Sequence, residues 1–292
     1  MFAFILTILG LLFGSFANVC IWRVPRGEEV VRTPSHCPQC DAAIRWYDNI
    51  PLFSFIALGG RCRACRAPIP WRYPLIEAAS GALFLVLALR FGPDWRLLGY
   101  VPLAWALLVI AAIDIDHYII PDGISVGGIA AGLALALAAV WFPPLRLSVA
   151  GFGWRLPAAP LMDSLAGIAA GGGLIAGAAW AGHRIYGQEA MGGGDIKLAA
   201  MIGAALGWQA ALLAIFIALV TGSLGGGALL LLGKATDSRE LQRTHFAGEL
   251  AGGGAEVAPK PAVQFGPFLA LGALAAVFCG RQLLGLYLGL FK

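Results

Sequence analysis

From residue 198 to residue 233 the chain runs 36 positions without a charged side chain, and that stretch confines the molecule to a membrane-embedded fold. One helix crosses the hydrocarbon core of a bilayer in about 20 residues. The run is too long for a single straight crossing, and Gly207-Trp208-Gln209 offers an interfacial turn inside it. Two helices are expected there. Further charge-poor stretches lie at 2–21, 75–89, 97–113, 124–142 and 165–182, and a last one begins near Phe265. That makes about eight transmembrane helices, the sixth (about 196–206) being the shortest. With 59% hydrophobic and 12% charged residues and a mean hydropathy of +0.80, the chain is too apolar for an ordinary soluble protein. The expected fold class is an all-α polytopic membrane protein.

The first span lacks a basic leading region and a small-residue cleavage site before Trp22-Arg23, so it is expected to stay attached. Arg23, Arg26, Arg32, Arg45, Arg61, Arg63, Arg66 and Arg72 all fall between the first and second spans. The positive-inside rule places that segment in the cytoplasm. Eight spans then put both termini on the periplasmic side, and the segments around Asp114, Asp195 and 234–264 on the cytoplasmic side. On this layout 14 of the 20 Lys and Arg are cytoplasmic, in keeping with the span count. The net charge of +4 is therefore a topology signal, and no separate basic patch points to nucleic acid. The segment 234–264 is rich in Gly, Ala and Pro with mixed charge and is expected to be mobile. The outer loop 145–160 carries Pro and Trp without recognisable chemistry. No internal repeat stands out, and the triplets Gly171-Gly172-Gly173 and Gly225-Gly226-Gly227 read as helix-packing positions.

Residues 23–74 form the one sizeable polar segment, about 50 residues, too small to bury a strong core unaided. Its cysteines supply the help. Cys37-Pro38-Gln39-Cys40 and Cys62-Arg63-Ala64-Cys65 are two CxxC knuckles separated by 21 residues. Each tight turn presents two thiolates, and two turns complete a tetrahedral sulfur shell, the arrangement of structural zinc. Nearby arginines are expected to help keep the thiolates ionised. Iron in the same shell is an alternative, and disulfides are disfavoured by a cytoplasmic location. Four sulfurs leave no open position, so the metal is expected to build the fold and do no chemistry. Cys20 and Cys279 lie within spans and read as small buried apolar residues.

Asp195 lies in Met191-Gly192-Gly193-Gly194-Asp195-Ile196-Lys197, a glycine hinge between two apolar stretches. Ionisable groups at membrane depth are costly and usually functional, and glycines let backbone or substrate come close to the acid. Asp114-Ile115-Asp116-His117 ends another apolar run. Two carboxylates brought together share one proton and activate water, the chemistry of an aspartic protease. On a helix Asp114 and Asp116 point in nearly opposite directions, so only one can face Asp195, and spacing alone does not choose. Asp122 after Pro121 reads as a helix start. His117 reads as a solvated boundary residue, and Lys197 as a carboxylate neutraliser or a membrane-edge anchor. A transporter or channel binding cations through these acids is the competing class, and the cysteine module argues against it.

On these residues the chain resembles, along nearly all its length, the bifunctional type IV prepilin leader peptidases and N-methyltransferases of bacterial inner membranes. The stretches that carry the resemblance are GLLFGSFANVCIWRVP at 10–25, both knuckles with the intervening DNIPLFSFIALGG in 37–77, IDIDHYIIP at 113–121, MGGGDIKLAAMIGA at 191–204 and FGPFLALG at 265–272. The GxGD signature of that family maps to Gly192, Gly193, Gly194 and Asp195. Its other catalytic aspartate, seven residues before the proline of the first acidic motif, maps to Asp114, with Asp116 a neighbour. The resemblance implies catalysis by Asp114 and Asp195, supported by Gly192, Gly194 and Lys197. It implies cleavage of a short basic leader from prepilins and pseudopilins at the cytoplasmic face, then methylation of the new N-terminal amine from S-adenosyl-L-methionine. Methyl transfer is tied by the family to the cytoplasmic module, including Gly60, although a structural turn accounts equally well for Gly59-Gly60. A peptidase without methyltransferase activity is the alternative.

The expected division is 1–22 as the first span, 23–74 as a zinc-binding, methyltransferase-linked module and 75–292 as the membrane peptidase. Two departures from the family pattern stand out. The interval of 81 residues from Asp114 to Asp195 is long, with the excess expected in the outer loop, and Val263-Gln264 precedes FGPFLALG where an Ile-Pro-like pair is expected.

Overall fold

The computed structural model of the chain describes residues 1–147, 159–187, 192–231 and 264–289. The expected mobile segment lies outside the described residues except for Gln264, as does most of the outer loop. The described residues form nine α-helices: α1 (Phe2–Arg23), α2 (Phe53–Ala57), α3 (Arg72–Phe91), α4 (Leu97–His117), α5 (Asp122–Trp141), α6 (Ala159–Tyr186), α7 (Gly193–Leu206), α8 (Trp208–Leu231) and α9 (Gly266–Gly289). They contain no β-strand. Apart from the short α2, seven helices are long and apolar enough to cross a bilayer. The eighth is α7, whose 14 residues rise about 21 Å at 1.5 Å per residue, less than the ~30 Å hydrocarbon core. It is the short sixth span of the sequence reading, extended at its start to include Asp195. As expected, Gly207 breaks the long uncharged run: it has φ 83°, and α8 begins at the next residue.

Several helices outrun the uncharged stretches that announced them. Helix α3 begins at Arg72 and α6 carries Asp163, because polar residues at helix ends belong to the helix while lying in the interfacial layer. A span read by absence of charge is cut short there.

Small residues set how the helices meet, as packing without a hydrophobic drive in lipid requires. Helices α1 and α3 form an antiparallel hairpin in which a Cβ on Gly14 would lie 2.6 Å from Glu77 Cα, and one on Gly10 2.7 Å from Phe84 Cβ. The Ser80 hydroxyl donates to the Gly10 carbonyl oxygen at 2.7 Å across the same crossing. Helix α7 is the most enclosed element, with nearly every residue from Leu198 to Leu206 buried. Helix α6 runs antiparallel to it, Gly167 backing onto Gly203 and Gly171 onto Ala199, while α5 runs parallel, with Gly128 against Met201 and Gly132 against Ala204. Gly171 and Gly172 thus have the packing role expected of their triplet, whereas Gly173 faces open space. Helices α8 and α9 pair antiparallel through Gly272 and Ala214. Helix α4 touches α1, α3, α5 and α9 and so links the N-terminal hairpin to the rest.

Arg23 ends α1 with a role beyond topology. Its side chain is buried, and the guanidinium donates to the carbonyl oxygens of Glu29 (3.1 Å), Val30 (3.4 Å), Thr33 (2.7 Å) and Pro34 (2.9 Å). These charge-assisted bonds fold the chain back toward the first knuckle and satisfy a buried cation.

Candidate active site and metal centre

Asp114 sits in the last turn of α4 with 6% of its surface exposed. The helix stops three residues later because Tyr118 turns left-handed (φ 57°), its N–H donating to the Asp114 carbonyl oxygen at 2.9 Å. The segment that opens α9 closes on this end. The first residue of α9, Gly266, donates its backbone N–H to the Asp114 carboxylate, and a Cβ on Gly266 would collide with Oδ2 of the same group. Only glycine permits that approach. The Gln264 side chain donates from Nε2 to the Ile115 carbonyl oxygen at 3.0 Å, so the residue that departs from the family pattern braces the helix end beside Asp114.

Asp195 lies half-buried in the first turn of α7, where the positive end of a helix suits an acid. Gly192 caps the helix, its carbonyl oxygen accepting the Asp195 N–H at 3.1 Å. Ile120 is the wall shared by the two acids. Its Cβ stands 2.8 Å from where a Gly194 Cβ would be, and its Cδ1 3.4 Å from where a Gly266 Cβ would be. Gly194 precedes Asp195 and Gly266 abuts Asp114, so the carboxylates approach around one isoleucine. Asp195 lies within the field of Asp114.

The remaining acids are engaged elsewhere. Asp116 forms an ion pair with Arg72 at the start of α3, away from Asp195. Asp122 is the first residue of α5, as expected, and also pairs with Lys197: Nζ lies 2.6 and 2.7 Å from the two carboxylate oxygens. Lys197 therefore neutralises a carboxylate, one of the two roles read from sequence, and in doing so ties α7 to α5. His117 is the final residue of α4.

The four cysteines of the two knuckles come together, all four Sγ atoms lying within 4.8 Å of one another. The turns are built alike. Cys37 and Cys62 donate N–H to the Ala42 and Ala67 carbonyl oxygens (3.0 and 2.9 Å), and accept from the Asp41 and Arg66 N–H (2.9 and 3.1 Å). Asp41 and Arg66 are both left-handed, with φ 52° and 60°. The sequence beneath is a repeat, C-x-x-C-x-A-x-I-x-W at 37–46 and again at 62–71. The expectation of no internal repeat is thus corrected. The signal stood in Ala42 and Ala67, Ile44 and Ile69, Trp46 and Trp71, and reading the cysteines alone passed over it.

A tetrahedral zinc with Zn–S near 2.3 Å sets sulfurs about 3.8 Å apart, and Cys37 Sγ and Cys65 Sγ are separated by 3.9 Å. The donor set fits such an ion. The N–H groups of Cys65 and Ala64 hold the Cys62 thiol down to about 6. Although the Ala42 N–H lowers Cys40, hydrogen bonds with Cys65 and the other thiols, together with burial, push it up to about 12. Arg63, expected to favour thiolates, is instead bidentate to Asp48 at 2.8 and 2.6 Å, and holds that carboxyl below its ordinary range. Gly60 is left-handed (φ 67°) and turns the chain into the second knuckle. It donates to the Phe55 carbonyl oxygen at 2.8 Å, accepts from the Ile69 N–H at 2.7 Å, and a Cβ there would stand 3.1 Å from the Phe55 ring.

Fold and site together define a polytopic helical membrane protein with two approaching aspartates and a four-cysteine module. Two family profiles match it, the Bacterial Peptidase A24 N-terminal domain over residues 8–91 and the Type IV leader peptidase family over residues 101–227. The chain is 39% identical over 250 residues to a prepilin leader peptidase/N-methyltransferase of Myxococcus xanthus, covering 85% of this chain and 70% of that protein. It is 35% identical to the protein of that name in Stutzerimonas stutzeri, covering 96% of this chain and 92% of that one. For Pseudomonas aeruginosa the identity is 33%, covering 96% and 91%. No solved structure matches. The chain belongs to the type IV leader peptidase family, whose members are aspartic proteases.

Gly266 and Ile120 are residues of this site that the sequence reading did not single out. Gly266→Ala is expected to displace the Asp114 carboxylate and reduce peptide cleavage about 10²-fold, the scale of a misplaced catalytic group, in protein that still folds. Cleavage assayed in detergent at the wild-type rate would contradict this geometry.

Proposed function

We propose that this chain removes the basic leader from type IV prepilins and pseudopilins at the cytoplasmic face of the bacterial inner membrane and N-methylates the new N-terminal residue. The carrying observation is the approach of Asp114 and Asp195 around Ile120, from helix ends that close on one site. Relatives spanning nearly the whole chain carry both activities in their names. The excess of arginine between α1 and α3 supports the cytoplasmic assignment, which puts both termini in the periplasm.

In this reading a substrate helix lies in the bilayer and presents its scissile bond, after glycine and before a residue that is usually phenylalanine, to the two acids. One aspartate is ionised and takes a proton from water as the water attacks the peptide carbonyl. Its partner, kept protonated by the neighbouring charge, donates to the carbonyl oxygen. Collapse of the tetrahedral adduct expels the amine, which leaves with a proton from the pair, and the shared proton is restored. Gly266 N–H holds Asp114 in place, and the cap at Gly192 and Gly194 orients Asp195.

Cys37, Cys40, Cys62 and Cys65 would hold a structural zinc ion, whose contribution is to fold the module. S-adenosyl-L-methionine is the methyl donor, and the module beside the bundle is where transfer takes place. Lipid surrounds the bundle, and the only macromolecular clients this reading requires are the prepilins and pseudopilins.

Asp114→Asn and Asp195→Asn are each expected to lower leader cleavage of a co-expressed prepilin by about 10³-fold or more, within the range of acid–base catalysis. Either variant cleaving like wild type would reject the pair. Cys62→Ser is expected to lower the zinc content of the purified protein and to impair methylation more than cleavage. Unchanged metal content would remove the tetrad from the account.

A further inference from the structure

The mechanism above leaves one half-buried carboxylate unused. Glu77 lies on the face of α3 that meets α1, where Gly14 allows the two backbones to close and Ser15 and Asn18 are buried. Its Oε2 accepts the backbone N–H of Leu52 at 2.8 Å, from the segment between the two knuckles. Leu52 has φ 59° and ψ −46°, a conformation a leucine rarely takes and one that persists only where its surroundings impose it. The Ser15 hydroxyl also bonds the Glu77 carboxylate and lies 3.4 Å from Asn49 Oδ1. Asn18, one turn along α1, donates to the Tyr73 carbonyl oxygen at 3.1 Å. A carboxylate, a hydroxyl and an amide oxygen thus converge where module and bundle join.

This cluster offers acceptors, and the ion pairs found among the described residues bring no Lys or Arg side chain to Glu77. Ion pairs engage Glu29, Asp48, Asp94, Asp116 and Asp122, whereas Glu77 enters none of these five. That is notable beside a segment with eight arginines between residues 23 and 72. Three oxygen acceptors around a negative charge are the complement of a primary ammonium, which carries three donors and one positive charge. The Arg72–Asp116 pair holds the start of α3 against the end of α4, and Glu77 lies about 7–8 Å further along α3 by helical rise. The cluster and the aspartates are therefore served by the same end of the bundle.

We propose that Glu77, with Ser15 and Asn49, seats the N-terminal ammonium group released by cleavage and removes the proton that must leave before that nitrogen is methylated. The proposal rests on the methyltransferase reading given above and names its acceptor site. One proton passes from the ammonium to the Glu77 carboxylate. The freed lone pair attacks the methyl carbon of a sulfonium donor, and the carbon–sulfur bond breaks with its electrons going to sulfur. A neutral thioether and a methylated ammonium result, and Glu77 returns its proton to water.

The test uses the full-length protein in nanodiscs, a pre-cleaved peptide beginning with phenylalanine, and S-adenosylmethionine. Glu77→Gln keeps an acceptor for the Leu52 N–H and loses the charge and the base. It is expected to methylate about 10²-fold or more slowly near neutral pH, to recover part of that loss as pH rises past the ordinary α-amino range of about 7.7–8.0, and to cleave prepilin and hold zinc like wild type. Asn49→Ala, at an exposed position, is expected to raise KM for the peptide about tenfold without altering KM for the donor. Wild-type methylation by Glu77→Gln, or an effect confined to KM for the donor, would overturn the proposal. Absence of methylation by the wild-type protein would instead overturn the reading on which it rests.

Discussion

A carboxylate at membrane depth is tolerated only where protein supplies what water would, and the fold around Asp114 and Asp195 is organised by that demand. Asp114 is buried at a helix end, held by the Gly266 N–H in space that only a residue without a side chain leaves open. Asp195 takes the first turn of α7, which is too short to be placed by the bilayer and is placed by its neighbours. The back-to-back contact of Gly167 and Gly203, and the seating of Gly128 and Gly132 on α7, fix its depth. Moving α7 would carry Asp195 with it, so the proposed chemistry depends on glycine packing along the length of three helices.

The N-terminal hairpin is coupled to this centre by charge. Arg72 opens α3 and pairs with Asp116, two residues from Asp114. Lys197, two residues from Asp195, pairs with Asp122 at the start of α5. The helix end that carries each candidate aspartate is thus tied by an ion pair to a second helix. Arg23 does similar work inside the module by gathering four carbonyl groups. Such pairs at a partly exposed edge contribute little to stability on their own. Their value lies in fixing the relative placement of helix ends.

The sequence was most readable where chemistry is local. Two CxxC turns need only a few residues each, so the cysteine cluster followed from spacing, and the break at Gly207 followed from the length of an uncharged run. The choice between Asp114 and Asp116 needed the family resemblance, because helical spacing says only that they diverge; the partner of Asp116 is an arginine more than 40 positions earlier in the chain. Gly266 was hidden for the same reason. A glycine before a proline reads as a helix start, and its contact with Asp114 spans about 150 positions. The roles of Gln264, Lys197 and Glu77 likewise arise from contacts between distant segments. The knuckle repeat was legible in principle, since Ala, Ile and Trp recur at matching offsets.

The account stands on Asp114 and Asp195 meeting in the folded protein within its own membrane. Its most direct measurement places cysteine at both positions and treats native membranes with a short bifunctional thiol reagent, the products being mapped by mass spectrometry. A cysteine pair at positions 122 and 197, where the wild-type side chains are 2.6 Å apart, serves as the reference. The account predicts an intramolecular link between 114 and 195 comparable in yield to that reference. Efficient linkage of 122 to 197 with none between 114 and 195 would contradict it.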